Sequence, residues 1–283
     1  MNIRSSNPLP QICVSTLIWH DDPFEKVVRE IARLGPDAVE LGYYTPWPAV
    51  DPAAYGDPEA VKRLLADLRL PAPICTLYFQ NEGDREARRM RRMEYNAAVG
   101  SRVHITNGMG DTLEEMARNL RPLLKRAEQL GVYIAYENHI NCPVDGIAGM
   151  EALSHRVDSD HFGFIVAAHH LAALGESVSE CIHRLGKRVF SCYLWDKRKG
   201  YDPWKNEGGD PSVPEWPLAG EGQTDFREVF TALREIDFHG PVVLMWQWYR
   251  KVSFEQASAA VRKALDYVTA CRDSAFTGPG RTS

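Results

Sequence analysis

Eight short apolar runs, each followed by a stretch of helical character, constrain this chain more than any other feature. The runs are ICVSTLIW (12–19), AVELGYY (38–44), PICTLYF (73–79), RVHITN (102–107), VYIAYENH (132–139), FGFIVAAH (162–169), RVFSCYLW (188–195) and PVVLMWQW (241–248). They are continuous rather than alternating. That pattern suits strands covered on both faces, as in a parallel sheet. Helix starts are legible between them. Asp22-Pro23 with Glu25 and Asp57-Pro58 place a cap ahead of a proline at the first helical position. Thr112 with Glu115, Ser177 with Glu180, Asp225 with Glu228 and Ser253 with Gln256 have capping-box spacing.

Strand–helix alternation implies βαβ units. Eight units predict closure into a TIM (β/α)8 barrel. An open doubly wound sheet is the rival, but no G-x-G-x-x-G follows the first strand. The 283 residues suit one barrel domain over 1–272, with 273–283 expected to be a disordered tail. The spacing breaks once, at an insertion over 197–223 rich in Gly, Pro, Trp and charge. It falls on the face where βα loops shape sites, so a substrate-covering or subunit-contacting role is expected.

Composition narrows the function classes. A net charge of −5 gives no general attraction to nucleic acid or anionic membranes. No apolar run approaches the roughly 18 residues needed to cross a bilayer. The opening MNIRSSNPLPQ lacks the apolar core of a signal peptide, so a cytoplasmic location is expected. The six cysteines form no C-x-x-C pair and read as buried hydrophobes in a reduced compartment. DREARRMRR (84–92) carries five arginines and reads as a solvated helix face or an oligomer contact.

In such a barrel the site lies at the C-terminal strand ends. Those ends carry Trp19, Tyr43, Tyr78, Asn107, Glu137, His139, His169, His170, Trp195, Asp196 and Gln247. Aromatic rings with scattered amides, imidazoles and carboxylates suit a small carbohydrate, which offers apolar faces and hydroxyls together. Glu137 closes an otherwise apolar strand, where an unpaired carboxylate is expensive. A metal ligand or proton-transferring base is the functional reading. His139, two residues on, is expected on the same face. Of the histidine pair, His170 is expected to face the pocket. The substrate-binding set is Trp19, Tyr43, His139, Trp195, Asp196 and Gln247.

AYENH (135–139) resembles the strand-five signature of xylose-isomerase-like TIM-barrel proteins, a superfamily of sugar isomerases and epimerases with inosose dehydratases and a DNA-repair endonuclease as relatives. AGEGQTDFREVFTALREIDFHGPVVL (219–244) is similar to the family's G-E-G-x-x-D-F stretch, and DAVEL (37–41) to its second-strand motif. The resemblance implies one Mn²⁺ or Mg²⁺ held by Glu, Asp, His and Glu from four strands. Here the first position is Glu137, but the others fall on Ala167, Tyr193 and Met245. The resemblance also puts Trp195 where the family's strand-seven motif has lysine, keeps Asp196, and puts His170 at the strand-six histidine.

The expectation is therefore a sugar isomerase- or epimerase-like enzyme without the usual metal. Glu137 acts as base, with His170 or Tyr193 as acid or oxyanion donor. A related lyase or dehydratase with a metal site rebuilt from Glu137, His139, His170 and Gln247 is one alternative. A non-catalytic sugar-binding or partner-subunit barrel is the other. The family commonly pairs, which implies a homodimer.

Overall fold

The computed structural model describes residues 9–43, 48–78, 85–210, 212–246 and 252–277. Eight parallel strands close into one barrel in chain order: β1 (Gln11–Ser15), β2 (Ala38–Leu41), β3 (Ile74–Thr76), β4 (Val103–Thr106), β5 (Tyr133–Glu137), β6 (Phe162–Ala167), β7 (Val189–Leu194) and β8 (Pro241–Leu244). The last strand pairs with the first, Val243 opposite Cys13. The helices are α1 (Phe24–Leu34), α2 (Pro52–Tyr55), α3 (Pro58–Asp67), α4 (Arg85–Val99), α5 (Leu113–Leu130), α6 (Ile147–Ser154), α7 (Ala168–Leu174), α8 (Val178–Leu185), α9 (Phe226–Glu235) and α10 (Phe254–Thr277). The TIM barrel expected from the alternation is the observed fold. All residues of β2, β3, β4, β6, β7 and β8 are buried, which accounts for their unbroken apolar runs.

Every strand is shorter than its run. The first run stops at Ser15, whose hydroxyl accepts from the Leu17 amide and opens a 3-10 turn over Thr16–Trp19. The sixth run stops at Ala167, so His169 and His170 stand in the first turn of α7 rather than on a strand. Four expected caps hold: Asp57 accepts from the Ala60 amide, Thr112 from Glu115, Ser177 from Glu180, and Ser253 from Gln256. In the last pair Gln256 reaches back to the Ser253 amide, completing the box. Asp22 makes no cap. Pro23 is itself the N-cap of α1, and the Asp22 carboxylate pairs with Lys26 one turn on. Asp225 caps α9 through the Arg227 amide.

Two expectations about the surface need correction. Helix α10 runs to Thr277, past the point where a tail was expected. Val268, Cys271, Arg272, Ala275 and Phe276 continue one buried stripe at helical spacing, and Arg234 donates to the Ala275 carbonyl. Residues 278–283 lie outside the described residues. The arginine-rich segment is also not uniformly solvated. Arg89 is buried and donates to the Asn107 carbonyl, and Arg92 forms a two-pronged pair with Asp51 over the ring of Tyr43.

The 197–223 segment folds back on the barrel end. The Asp196 carboxylate organises its return. Oδ1 accepts from the amides of Lys197, Gln223 and Thr224 at 2.8, 3.0 and 3.0 Å, and Oδ2 from Gly222 at 3.0 Å. A β-carbon on Gly222 would lie 2.3 Å from the Asp196 carboxyl carbon, so only glycine admits this approach. The G-E-G-x-x-D-F stretch is thus a structural unit: Gly222 receives Asp196, Asp225 caps α9, and Phe226 is buried.

Candidate active site

Four elements bring a hydrogen-bonded chain of side chains together inside the barrel mouth. Glu137 ends β5 and is buried. Its Oε2 accepts from the Tyr78 hydroxyl at 2.7 Å and from Asn107 Nδ2 at 3.0 Å. The Tyr78 hydroxyl lies 3.0 Å from that of Tyr193 on β7. The Tyr193 hydroxyl lies 2.9 Å from Oε1 of Glu40 on β2. Two buried carboxylates are therefore linked through two phenols. Oε2 of Glu40 has no hydrogen-bond partner among the described residues.

Burial dominates the electrostatics. It raises the pKa of Glu137, opposed by nearby His139 and by the hydrogen bonds of Tyr78 and Asn107. It raises Glu40 to about 7, against the Ser15 and Tyr193 hydroxyls, and the charge of Glu137 adds to the rise. Burial also pushes the phenols of Tyr78 and Tyr193 well above 10, so both are neutral hydroxyls.

Beside this chain lies a group of imidazoles and indoles. The ring of His170 stands 4.2 Å from that of His139 and 3.9 Å from that of His169. His169 lies 4.1 Å from Trp195 and edge-on to Trp216 at 5.6 Å. Burial lowers both His169 and His170 well below 6.5, so both are neutral. Neither ring nitrogen of His169, nor Nδ1 of His170, has a hydrogen-bond partner among the described residues.

The expected site residues thus separate into groups. Glu137 and Tyr193 share one network. His139, His170 and Trp195 share the ring cluster. His139, however, lies beyond the end of β5 and is exposed, because the strand stops at Glu137 and the face-sharing rule stops with it. Asp196 is fully buried and spends both oxygens on the 197–223 segment. Trp19 is buried against Phe254, to whose carbonyl its indole donates. Tyr43 lies under Arg92. Gln247 lies outside the described residues. Glu40 was missed as a site residue, although an acid inside the apolar AVEL run carries the same signal that singled out Glu137. Tyr78 and Asn107 stand at strand ends, but nothing in the sequence links them to Glu137.

The donors do not fit the divalent ion that the resemblance implies. Ala167 offers only backbone, which Asn138 engages by accepting from its amide at 2.7 Å. The Tyr193 phenol is neutral and sits between Glu40 and Tyr78. Met245 supplies a thioether, too soft for Mn²⁺ or Mg²⁺. Among the described residues, no group of three or more His, Cys, Asp or Glu side chains is arranged to hold a metal ion.

Comparison with known proteins agrees with the architecture. The chain matches the family model described as xylose isomerase-like TIM barrel over residues 28–271. It is 22% identical to an inosose dehydratase of Lacticaseibacillus casei over 257 residues, covering 78% of this chain and 81% of that protein. A D-allulose 3-epimerase from Methylomonas sp. superposes with a TM-score of 0.70 at 16% identity, covering 93% of this chain and 98% of that one. The IolI protein, solved with a bound zinc atom, superposes with a TM-score of 0.68 at 17% identity, covering 94% and 98%. At these identities the two structures attest the fold. The chain belongs to the xylose isomerase-like TIM barrel family.

Proposed function

We propose that this chain is a sugar isomerase- or epimerase-like enzyme that moves a proton next to the carbonyl of a small sugar or polyol, using side chains rather than a divalent metal. The observation that carries this reading is Glu137. It is a buried carboxylate at the C-terminal end of a barrel strand, with its pKa raised by burial and one oxygen fixed by two donors. Fixing Oε2 leaves Oε1 to take the proton from a carbon beside a carbonyl. The carbonyl oxygen then gains charge. His170, a neutral imidazole whose ring stands 4.2 Å from that of His139, can donate to it. Delivery of a different proton to the opposite face of the same carbon, from a second donor or from water, gives an epimer. Return of the proton by Glu137 to the neighbouring carbon on the same face, as the adjoining hydroxyl gives up its proton and becomes the new carbonyl, gives an isomer. Trp195, Trp216 and His169 supply the apolar wall a sugar ring needs. Tyr193, hydrogen-bonded on both sides, acts through Tyr78 rather than by touching substrate.

A dehydratase reading is supported by the inosose dehydratase relatives, which match over most of both chains. Dehydration beside a carbonyl begins with the same proton removal and ends with loss of water, so Glu137 keeps its role. A cytoplasmic location suits the six free cysteines, and a homodimer remains part of the reading. No helix among the described residues is long and apolar enough to cross a membrane.

The test is proton exchange. The protein is incubated in deuterium oxide with ketose, aldose and keto-polyol panels, and label at the carbon beside the carbonyl is followed by NMR. The reading expects exchange with one class and its loss by about 10²–10⁴-fold in Glu137→Gln. Tight binding of a sugar without exchange would instead favour a non-catalytic barrel.

A further inference from the structure

The chain of oxygens between Glu40 and Glu137 has a proton count that its geometry fixes. Three O···O contacts, of 2.9, 3.0 and 2.7 Å, join Glu40 Oε1, the Tyr193 and Tyr78 hydroxyls, and Glu137 Oε2. Each contact needs one proton between its oxygens. A phenol carries one, and an ionised carboxylate carries none. With both carboxylates ionised, the two phenol protons point outward to them. The central Tyr193–Tyr78 contact then sets two lone pairs against each other. A third proton, on one carboxyl, fills all three contacts. It can reside at either end, because reversing the three hydrogen bonds moves it from one carboxyl to the other with no atom displaced.

The surroundings choose the end. Glu40 is fully buried and has only the Ser15 and Tyr193 hydroxyls to oppose the cost of burying its charge, so its ionised form is poorly compensated inside the barrel. Glu137 has Asn107 as a second donor and His139 nearby. The other titratable groups close to Glu40 are Cys13 of β1 and Cys75 of β3, whose thiols burial holds protonated, together with Tyr193 and Tyr78. The Ser15 hydroxyl on β1 is the remaining polar neighbour.

We propose that Glu40 and Glu137 share a single proton through Tyr193 and Tyr78, and that Glu40 holds it at rest, which makes Glu40 the positioning residue that keeps Glu137 ionised as the base. The sharing stands on the hydrogen-bond geometry alone. Its link to turnover rests on the proposed role of Glu137. The second carboxylate of this barrel therefore comes from β2, across the mouth from β5, and not from β8. The burial that lifts Glu40 to about 7 is consistent with its being the neutral member.

The full chain, labelled with ¹³C at the glutamate carboxyls, can be titrated by NMR. One buried carboxyl is expected to stay protonated at mildly acidic pH and to titrate near 7. Its signal is expected to vanish in Glu40→Gln, an isosteric change whose amide can still donate to Tyr193. In Glu137→Gln, with the neighbouring charge gone, the Glu40 step is expected to move to lower pH. A wild-type protein in which every glutamate titrates in the ordinary carboxylate range overturns the proposal. So does a high step that survives Glu40→Gln, or one that stays in place in Glu137→Gln. If exchange activity is found, the step in its pH profile near the titration of Glu40 is expected to disappear in Glu40→Gln while the acid limb set by Glu137 remains, a change that a merely structural Glu40 would not produce. Absence of any exchange would sink the proposed function and leave the titration result standing.

Discussion

Replacing Asp196 with alanine measures how much of the barrel's top face depends on one carboxylate. The side chain is fully buried and accepts from four backbone amides, all at 2.8–3.0 Å. Burial raises its pKa, and the donors of Thr224, Lys197 and Gly222 oppose that rise. Removing the acceptor orphans the amides of Lys197, Gly222 and Thr224, while that of Gln223 keeps the Lys197 carbonyl at 3.0 Å, and each orphan costs about 1–3 kcal/mol. Water entering the vacated volume recovers part of this, so about 4 kcal/mol of lost stability is expected. For a barrel of this size that corresponds to a Tm lower by about 10 °C. Thermal unfolding followed by circular dichroism reads the loss. Limited proteolysis is expected to cut within 197–223, the segment whose return is untied. Asp196→Asn keeps the shape and one acceptor oxygen, and should lose roughly half as much. A loss below about 1 kcal/mol for the alanine variant would refute the structural reading and return Asp196 to the list of substrate contacts.

Two further outcomes follow from the same packing and charges. Gly222→Ala drives a β-carbon to 2.3 Å from the Asp196 carboxyl carbon and 2.4 Å from the Lys197 carbonyl oxygen, so it should cost about 3 kcal/mol in urea unfolding and not add fully to Asp196→Ala. Glu40 rises from 4.5 to about 7 on folding, so the native state binds the extra proton and stability falls as pH climbs between those values. The loss should be on the order of 3 kcal/mol, and Glu40→Gln should flatten that stretch of the stability–pH curve.

The barrel was legible because its signals are local. Continuous apolar runs mark strands covered on both faces, and caps such as Thr112 and Ser253 act within one turn of chain. Glu137 was legible for the same reason, as an acid in an apolar strand. Glu40 satisfied that rule equally, but DAVEL reads first as a family motif and the acid within it was passed over. What the sequence could not convey is which strand ends meet across the barrel. The Tyr193–Glu40 contact spans 153 positions and the Tyr78–Tyr193 contact 115. The Arg92–Asp51 pair spans 41 and removes one arginine from an apparently solvated run. Local propensity also hid the break after Ala167. There Asn138 captures the Ala167 amide, and a helix begins where the apolar run still reads as strand. The histidines were correctly placed near the mouth and wrongly placed on a strand.

The central claim is that Glu137 removes a proton beside a carbonyl. Deuterium incorporation from solvent into a panel of ketoses, aldoses and keto-polyols, compared between the wild type and Glu137→Gln, tests it most directly. The account predicts label at the carbon beside the carbonyl for one substrate class, reduced by about 10²–10⁴-fold in the variant with its fold intact. Exchange that proceeds at the same rate in both proteins, or none with any member of the panel, would contradict it.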